Sequence, residues 1–380
     1  MGAVAEWQET KIGALASVSR GASPRPIASS RWFDSGSDVR WVRIADVNRS
    51  DGRKLLATTQ ALSPDGIARS RYLDPSTLIM SIAATVGIPV ITGVPACIHD
   101  GFVALENLKV DQRFLLYLLK ASEVKLRESG QSGSQMNVNT DIVKGLHVCI
   151  PADVREQERI AAALWDIDDL IATLERLIAK KQAIKQGMMQ QLLTGRTRLP
   201  GFTGEWTDRL LGEVLTVRHG RNQRSVERSS GAIPILATGG QIGWADRPLY
   251  SKPSVLIGRK GTIDRPQYQS RPFWTVDTLF YTEISAKADP RFLYYVFQTI
   301  DWRSMNEASG VPSLSSTRIE SVEVQLPDLA EQIAIREVLD NSDAEITVLD
   351  TRLTKARAIK TGMMQQLLTG HIRLPAGVSS

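Results

Sequence analysis

Apolar residues recur in alternating steps of four and three at Ile160, Leu164, Ile167, Ile171, Leu174 and Ile178. The same phase runs on through Lys181, Lys185, Met188 and Leu192. A second stretch repeats it at Ile335, Leu339, Ser342, Ile346, Leu349, Leu353, Ala356, Lys360, Met363 and Leu367. A seam of period 3.5 held over about five heptads predicts coiled-coil helices. Residues 156–193 would rise about 57 Å as one helix. Both seams lose apolar character late, at Lys181 and Lys185 and at Lys360, and Gly195 and Gly370 stand where a C-terminal cap is expected. Seams of equal length and phase predict that the two helices pair with each other. The large block between them in one chain favours an antiparallel pair.

The remaining chain has a different rhythm. Short β-rich runs are punctuated by glycine and proline, for example Trp41–Ile44, Ile233–Leu236, Val255–Ile257 and Phe273–Val276. Each block has one late helix candidate, Arg113–Leu119 and Arg291–Phe297, and ends in an apolar strand running into Pro151 or Pro327. Leu78 to Ile98 carries no charge and is long enough to span a bilayer. Pro89, Pro95, Gly87 and Gly93 break it, so it is read as buried strands over Leu78–Ile82 and Ile88–Ile91.

The chain is also a repeat. Ala183-Ile-Lys-Gln-Gly-Met-Met-Gln-Gln-Leu-Leu-Thr-Gly195 returns as Ala358–Gly370, offset by 175, with Gln186 against Thr361 as the one difference. Arg198-Leu-Pro200 and Arg373-Leu-Pro375 follow the two copies. Glu156-Gln157 and Glu331-Gln332 precede them, each shortly after a proline. Glu6-Trp7, Gly13 and Gly21 match Glu205-Trp206, Gly212 and Gly220 at an offset of 199. The fold class expected is α+β (mixed α/β): two variable globular domains, 1–151 and 205–327, each followed by a constant helical block, 152–204 and 328–380. The counterpart of the apolar stretch carries Arg259 and Lys260 where the first copy has Thr85 and Val86. Buried strands joined by a loop tolerate that exchange, whereas a spanning helix would not.

Composition narrows the picture further. Of 380 residues, 42% are hydrophobic and 23% charged, which excludes disordered and collagen-like chains. Two cysteines make no disulfide framework, and the first thirty residues lack a signal-peptide order, so a soluble cytoplasmic protein is expected. A net charge of +5 permits a polyanionic partner.

The charged loops are the candidate binding elements. Arg218, Arg221, Arg224 and Arg228 surround Asn222 and Gln223, with Glu227 the one acid. Arginine pairs bidentately with guanine, asparagine or glutamine with adenine, and all of them bond phosphates. The expected DNA-facing residues are Arg218, Arg221, Asn222, Arg224, Arg259 and Lys260 in the second domain, and Arg20, Arg25 and Arg43 in the first. Asn48, Arg49, Arg53 and Lys54 extend the first group. No phosphate-binding loop, dinucleotide fingerprint or nucleophile–base set is found; Gly258-Arg-Lys-Gly-Thr262 has the wrong spacing. Cys97-Ile-His99 lacks further ligands at zinc spacing, so no metal site is expected. Asp65 with Glu123 and Lys125 matches a nuclease pattern only superficially.

Two variable domains, each followed by a near-identical helix ending Gln-Gln-Leu-Leu-Thr-Gly, resemble the specificity subunits of type I restriction–modification systems, the HsdS family. The resemblance covers nearly the whole chain. It rests most on the Pro…Glu-Gln pairs and on the two Lys-x-Gly-Met-Met-Gln-Gln-Leu-Leu-Thr-Gly runs from Lys185 and Lys360. It implies that each variable block is a target-recognition domain reading one half of a split sequence in double-stranded DNA. It also implies that the helices hold the halves at fixed spacing and dock two methyltransferase subunits, through which restriction subunits join. The chain itself would be non-catalytic and hold no cofactor; S-adenosylmethionine, ATP and Mg would belong to its partners. A stand-alone bipartite DNA-binding protein and an unrecognised nuclease remain the rival readings. No membrane role is expected.

Overall fold

The computed structural model describes residues 7–130 and 138–375; Glu6, part of the Glu-Trp match, lies outside them. The chain forms two compact units. One comprises residues 1–173 and 352–380, the other residues 174–351. These units cut across the segments drawn from the sequence, because each long helix contributes one half to each unit.

In the first unit the strand Trp7–Lys11 pairs antiparallel with His147–Pro151, with Trp7 opposite Pro151. A five-stranded sheet follows, in the order Ser17–Arg20, Phe102–Glu106, Leu78–Ser81, Pro89–Thr92 and Lys54–Leu55. Both of its faces are covered. Leu78, Met80, Val103 and Leu105 share a core with the helix Gln112–Ala121, while Ile79, Val90, Phe102 and Ala104 meet Val42, Ala96 and Ile98 of a second, four-stranded sheet. Burial on two faces explains the uncharged run from Leu78 to Ile98, since alternation is lost when neither face sees water. No helix among the described residues is long and apolar enough to cross a membrane.

The second unit repeats this arrangement within itself. Thr207–Leu210 pairs antiparallel with Glu323–Leu326. A four-stranded sheet runs Leu215–Arg218, Leu279–Ile284, Ser254–Gly258, Gln267–Gln269. A second has the order Glu227–Arg228, Gly240–Ala245, Ile233–Ala237, Trp274–Thr275. The helix Pro290–Thr299 packs Phe292, Leu293, Val296 and Phe297 into the core. Its N-cap Asp289 accepts from the Phe292 amide at 2.8 Å, as Asp111 does from Phe114 in the first unit.

The long helices are Val154–Leu192 and Leu329–Leu367. In each unit they pair as an antiparallel coiled coil, and the lysines that interrupt the seams make cross-helix ion pairs. In the first unit Lys360 Nζ lies 2.7 Å from Asp168. In the second, Lys185 lies 2.5 Å from Asp343 and Lys181 2.6 Å from Glu345. Lys185 and Lys360 are equivalent in the repeat, as are Asp168 and Asp343. The seam ends behave differently from the simple two-helix reading. Ile160, Leu164 and Leu367 are part of the first unit's globular core, and Leu192, Ile335 and Leu339 of the second's. Met363 and Met188 lean on those same cores. Leu174, Ile178, Leu349 and Leu353 are buried away from them, along the paired stretch, and Ile167, Ile171 and Ile346 are half-buried.

Candidate nucleic-acid interface

The repeated Pro…Glu-Gln motif has a mechanical role that its spacing did not reveal. Gln157 Nε2 donates to the Pro151 carbonyl at 2.9 Å, and its Oε1 accepts from the Asp111 amide at 3.0 Å. Gln332 does the same with Pro327 and Asp289, both at 2.9 Å. Each buried glutamine thus ties three elements: a strand end, the start of the core helix and the first turn of a long helix. Both polar ends of the amide are satisfied, as burial demands. The adjacent Glu331, 1% exposed, holds Arg198 through two 2.6 Å bonds and accepts from Trp206 Nε1 at 3.2 Å. In the first unit Glu156 faces Arg373 at 3.5 Å. Gly370, at φ 75°, lies so close to Trp7 that a Cβ there would sit 2.8 Å from the indole. The described C-terminal end therefore packs against the described N-terminal end, as Gly195 packs against Trp206.

This scaffold presents the candidate DNA-facing residues on loops. In the first unit Arg20, Arg25 and Arg43 are all exposed. Arg20 Nε donates to the Asp100 carbonyl at 2.8 Å, and Arg25 pairs with the Asp100 carboxylate at 3.3 Å. Ser23 Oγ donates to that carboxylate at 2.6 Å and is the main reason its pKa lies below the ordinary value. Arg25 and Arg43 line one concavity of about 670 Å³, whose walls include Phe33, Trp41, Gln60 and His99. Gly21 lets this loop pass close to the chain at His99; a Cβ at Gly21 would lie 2.2 Å from the His99 carbonyl. Gly220 plays the same part in the second unit, where a Cβ would collide with the Val276 carbonyl.

Arg53 departs from the expected basic surface. It is 7% exposed, bonded to Asp169 at 2.8 Å and stacked over Trp165 at 4.6 Å, so it fastens a loop to the first long helix. Arg49 is committed to the buried Asp46 at 2.6 Å; Asn48 and Lys54 are exposed.

In the second unit Arg218, Arg221, Asn222, Arg224 and Lys260 are exposed and Arg259 is half-exposed. Arg218 is paired with Glu283 at 2.9 Å, so its charge is partly neutralised within the unit. Asn222 Oδ1 accepts from the Arg224 amide at 2.9 Å, and Trp274 Nε1 donates to the Arg221 carbonyl at 2.8 Å; these bonds shape the loop. Arg259 Nη1 donates to the Asp277 carbonyl at 3.3 Å, and Lys260 bridges to Ser313. The residues missed by sequence reasoning are Gln60, Phe33 and Trp41, together with His99, which had been weighed only as a metal ligand. Of the residues behind the nuclease pattern, Glu123 is paired with Arg127 at 3.3 Å, and Asp65 is exposed on the short helix Pro64–Ala68.

A duplicated α+β scaffold with arginines exposed on loops and two paired long helices is the architecture of a DNA-specificity subunit. The chain matches the type I restriction modification DNA specificity domain over residues 5–186 and 203–356, and it belongs to that family. It is 23% identical over 322 residues to the MjaVIII type I restriction enzyme specificity subunit of Methanocaldococcus jannaschii, covering 74% of this chain and 76% of that one. It is 20% identical over 353 residues to the EcoprrI specificity subunit of Escherichia coli, covering 88% and 87%. Its fold resembles the S subunit of a type I restriction–modification system from M. genitalium, with a TM-score of 0.69, 15% identity and 97% of each chain covered.

Proposed function

We propose that this chain reads a bipartite sequence in double-stranded DNA, one half-site per recognition domain, within a type I restriction–modification complex. The observation that carries this reading is the duplication itself. The same strand–helix–Gln clamp occurs twice, and each copy presents its own set of exposed arginines. Two methyltransferase subunits dock on the repeated helical blocks. Ile184 and Ile359, equivalent positions of the repeat, are 46% and 55% exposed and supply matching apolar contacts for two copies of one partner. Restriction subunits join through them. The chain itself is non-catalytic, and S-adenosylmethionine, ATP and Mg reside on the partners.

Co-expression with the methyltransferase of the same system, followed by mass measurement, tests the assembly: two partners per chain are expected. Base-resolution mapping of methylated adenines then gives a split target. A stable one-to-one complex at saturating partner, or plasmid cleavage by the chain alone with magnesium, would overturn this reading.

A further inference from the structure

In the concavity of the first unit, Arg43 and Gln60 together present mainly hydrogen-bond donors. Arg43 Nη1 donates to Gln60 Oε1 at 3.2 Å. A guanidinium can only donate, so the amide orientation is set and Gln60 presents its Nε2–H2 group as the polar end left over. Below them, His99 Nδ1 accepts from the Gly101 amide at 2.8 Å. Burial, reinforced by the charge of Arg43 against the opposing pull of Asp100, lowers the pKa of His99. The neutral ring therefore carries its proton on Nε2. Among the described residues lining this concavity Asp100 is the carboxylate, and it already bonds Ser23 and Arg25.

The platform is also built to hold its shape. The Arg43 amide donates to Asp46 Oδ2 at 3.1 Å, and the Thr59 amide donates to Asp46 Oδ1 at 3.1 Å. Asp46 is 4% exposed, so a buried carboxylate fixes the backbone at Arg43 and just before Gln60. Trp41 and Gln60 face each other across adjacent strands.

We infer that Arg43 and Gln60 form a donor-rich reader for an acceptor pair, the O6 and N7 edge of a guanine in the half-site bound by the first domain. Adenine and cytosine each present an amino donor in the major groove, and the nearest acceptor in the pair, Gln60 Oε1, already receives one bond from Arg43 and is held facing it rather than the base. The inference rests on the proposed DNA-reading role and adds to it a base and two residues. A DNA phosphate offers the same acceptor chemistry, so the test separates the two.

The assembled methyltransferase complex is assayed for binding and methylation on duplexes randomised across both half-sites. Wild type should require guanine at one position of one half-site, and 7-deazaguanine there, which lacks the N7 acceptor, should weaken binding. Arg43→Lys and Gln60→Met should each relax that position by about 10- to 100-fold and leave the other half-site and the salt slope unchanged. Gln60→Glu, which adds an acceptor, should shift preference towards a base bearing an amino group. Unaltered amide-exchange protection in the first unit shows that the variants fold. Uniform weakening on all sequences by Arg43→Met, which removes the charge, with the salt slope reduced by about one, would make Arg43 a phosphate contact and overturn the inference. So would variants that leave the guanine requirement intact while wild type still reads a split target. A wild-type complex with no sequence preference would remove the proposed function and this inference together.

Discussion

Removing one hydroxyl, by Tyr295→Phe, tests how the long helices are fastened in the second unit. Tyr295 is fully buried, and its hydroxyl lies 2.6 Å from Asp340 Oδ1 and 2.7 Å from Asp343 Oδ2. Burial and the two carboxylates push the phenol far above its ordinary pKa, so it remains a donor. A hydrogen bond to a charged group contributes about 1.5–3 kcal/mol. The lower half of that range applies, because neither carboxylate is orphaned: Arg291 still holds Asp340 at 2.8 Å, and Lys185 still holds Asp343 at 2.5 Å. A loss of about 2 kcal/mol is a factor of roughly 30 in the opening equilibrium. Two compact units need not unfold together, so a single melting curve is a poor readout. Amide exchange in Pro290–Thr299 and in 335–350 reports the affected region directly. Exchange there should accelerate by about that factor in Tyr295→Phe, and the effect should shrink when Asp343→Asn is already present, since the two share one bond. A change under threefold, or full additivity of the two substitutions, would refute the reasoning.

Three further expectations follow from the same geometry. Lys120 is half-buried, and desolvation, aided by Lys360 and opposed by Asp168 and Asp51, pushes its pKa down from 10.5 to about 8. The unfolded state binds more protons between those values, so this group makes stability rise with pH from about 8 to 10.5, on the order of 3 kcal/mol. Lys120→Met should remove that rise and stabilise the first unit at pH 7; parallel urea-midpoint profiles for the two proteins would contradict it. Gly220→Ala and Gly21→Ala should each speed amide exchange in its own unit, costing about 1–3 kcal/mol by forced overlap with a carbonyl, whereas Gly239→Ala, with nothing within 4 Å, should be near neutral. A permuted chain beginning at Gly201, with a short linker joining the old ends, should fold and bind the same DNA, because Trp7 already packs on Gly370; a permuted chain that cannot fold would show that the ends require separation.

Periodicity exposed the long helices because their contacts recur every three or four residues along one segment. The strands from Leu78 to Thr92 were legible for a similar local reason: breakers between apolar runs. Of the smaller sheet of the first unit, only Arg40–Val42 was, inside the predicted run Trp41–Ile44. Its other strands, Gln60–Ala61, Ala96–Ile98 and Arg71–Leu73, are two or three residues long, too short to show alternation. Charge flagged Arg25 and Arg43, but it also flagged Arg53, whose partner Asp169 lies more than a hundred residues away. Gln60 and His99 join the same concavity from separate segments, and no local spacing encodes that meeting.

The near-identity of the two Met-Met-Gln-Gln-Leu-Leu-Thr-Gly runs invites the view that each touches the same external partner. Within each unit, most of these positions already have an internal reason to be fixed. Leu192, Leu193 and the half-buried Met188 and Met189 pack into the core of the second unit, as Leu367, Leu368, Met363 and Met364 do in the first. Thr194 and Thr369 return their hydroxyls to the carbonyls of Gln190 and Gln365, at 2.7 and 2.6 Å. Gly195 and Gly370 adopt the left-handed conformation of a C-terminal cap, and each is crowded by a tryptophan, tightly at Gly195 and past contact at Gly370. The exposed pairs Gln190–Gln191 and Gln365–Gln366 are left. Of these, Gln191 accepts a hydrogen bond from Thr197 at 3.3 Å. Gln190 and Gln365, together with Ile184 and Ile359, are therefore the repeated positions free to meet a partner. Paired substitution of these four positions, with the buried leucines untouched, should weaken methyltransferase binding while leaving the fold intact. If binding survives that change and is lost only on altering the buried core, the repeat has been preserved for folding alone.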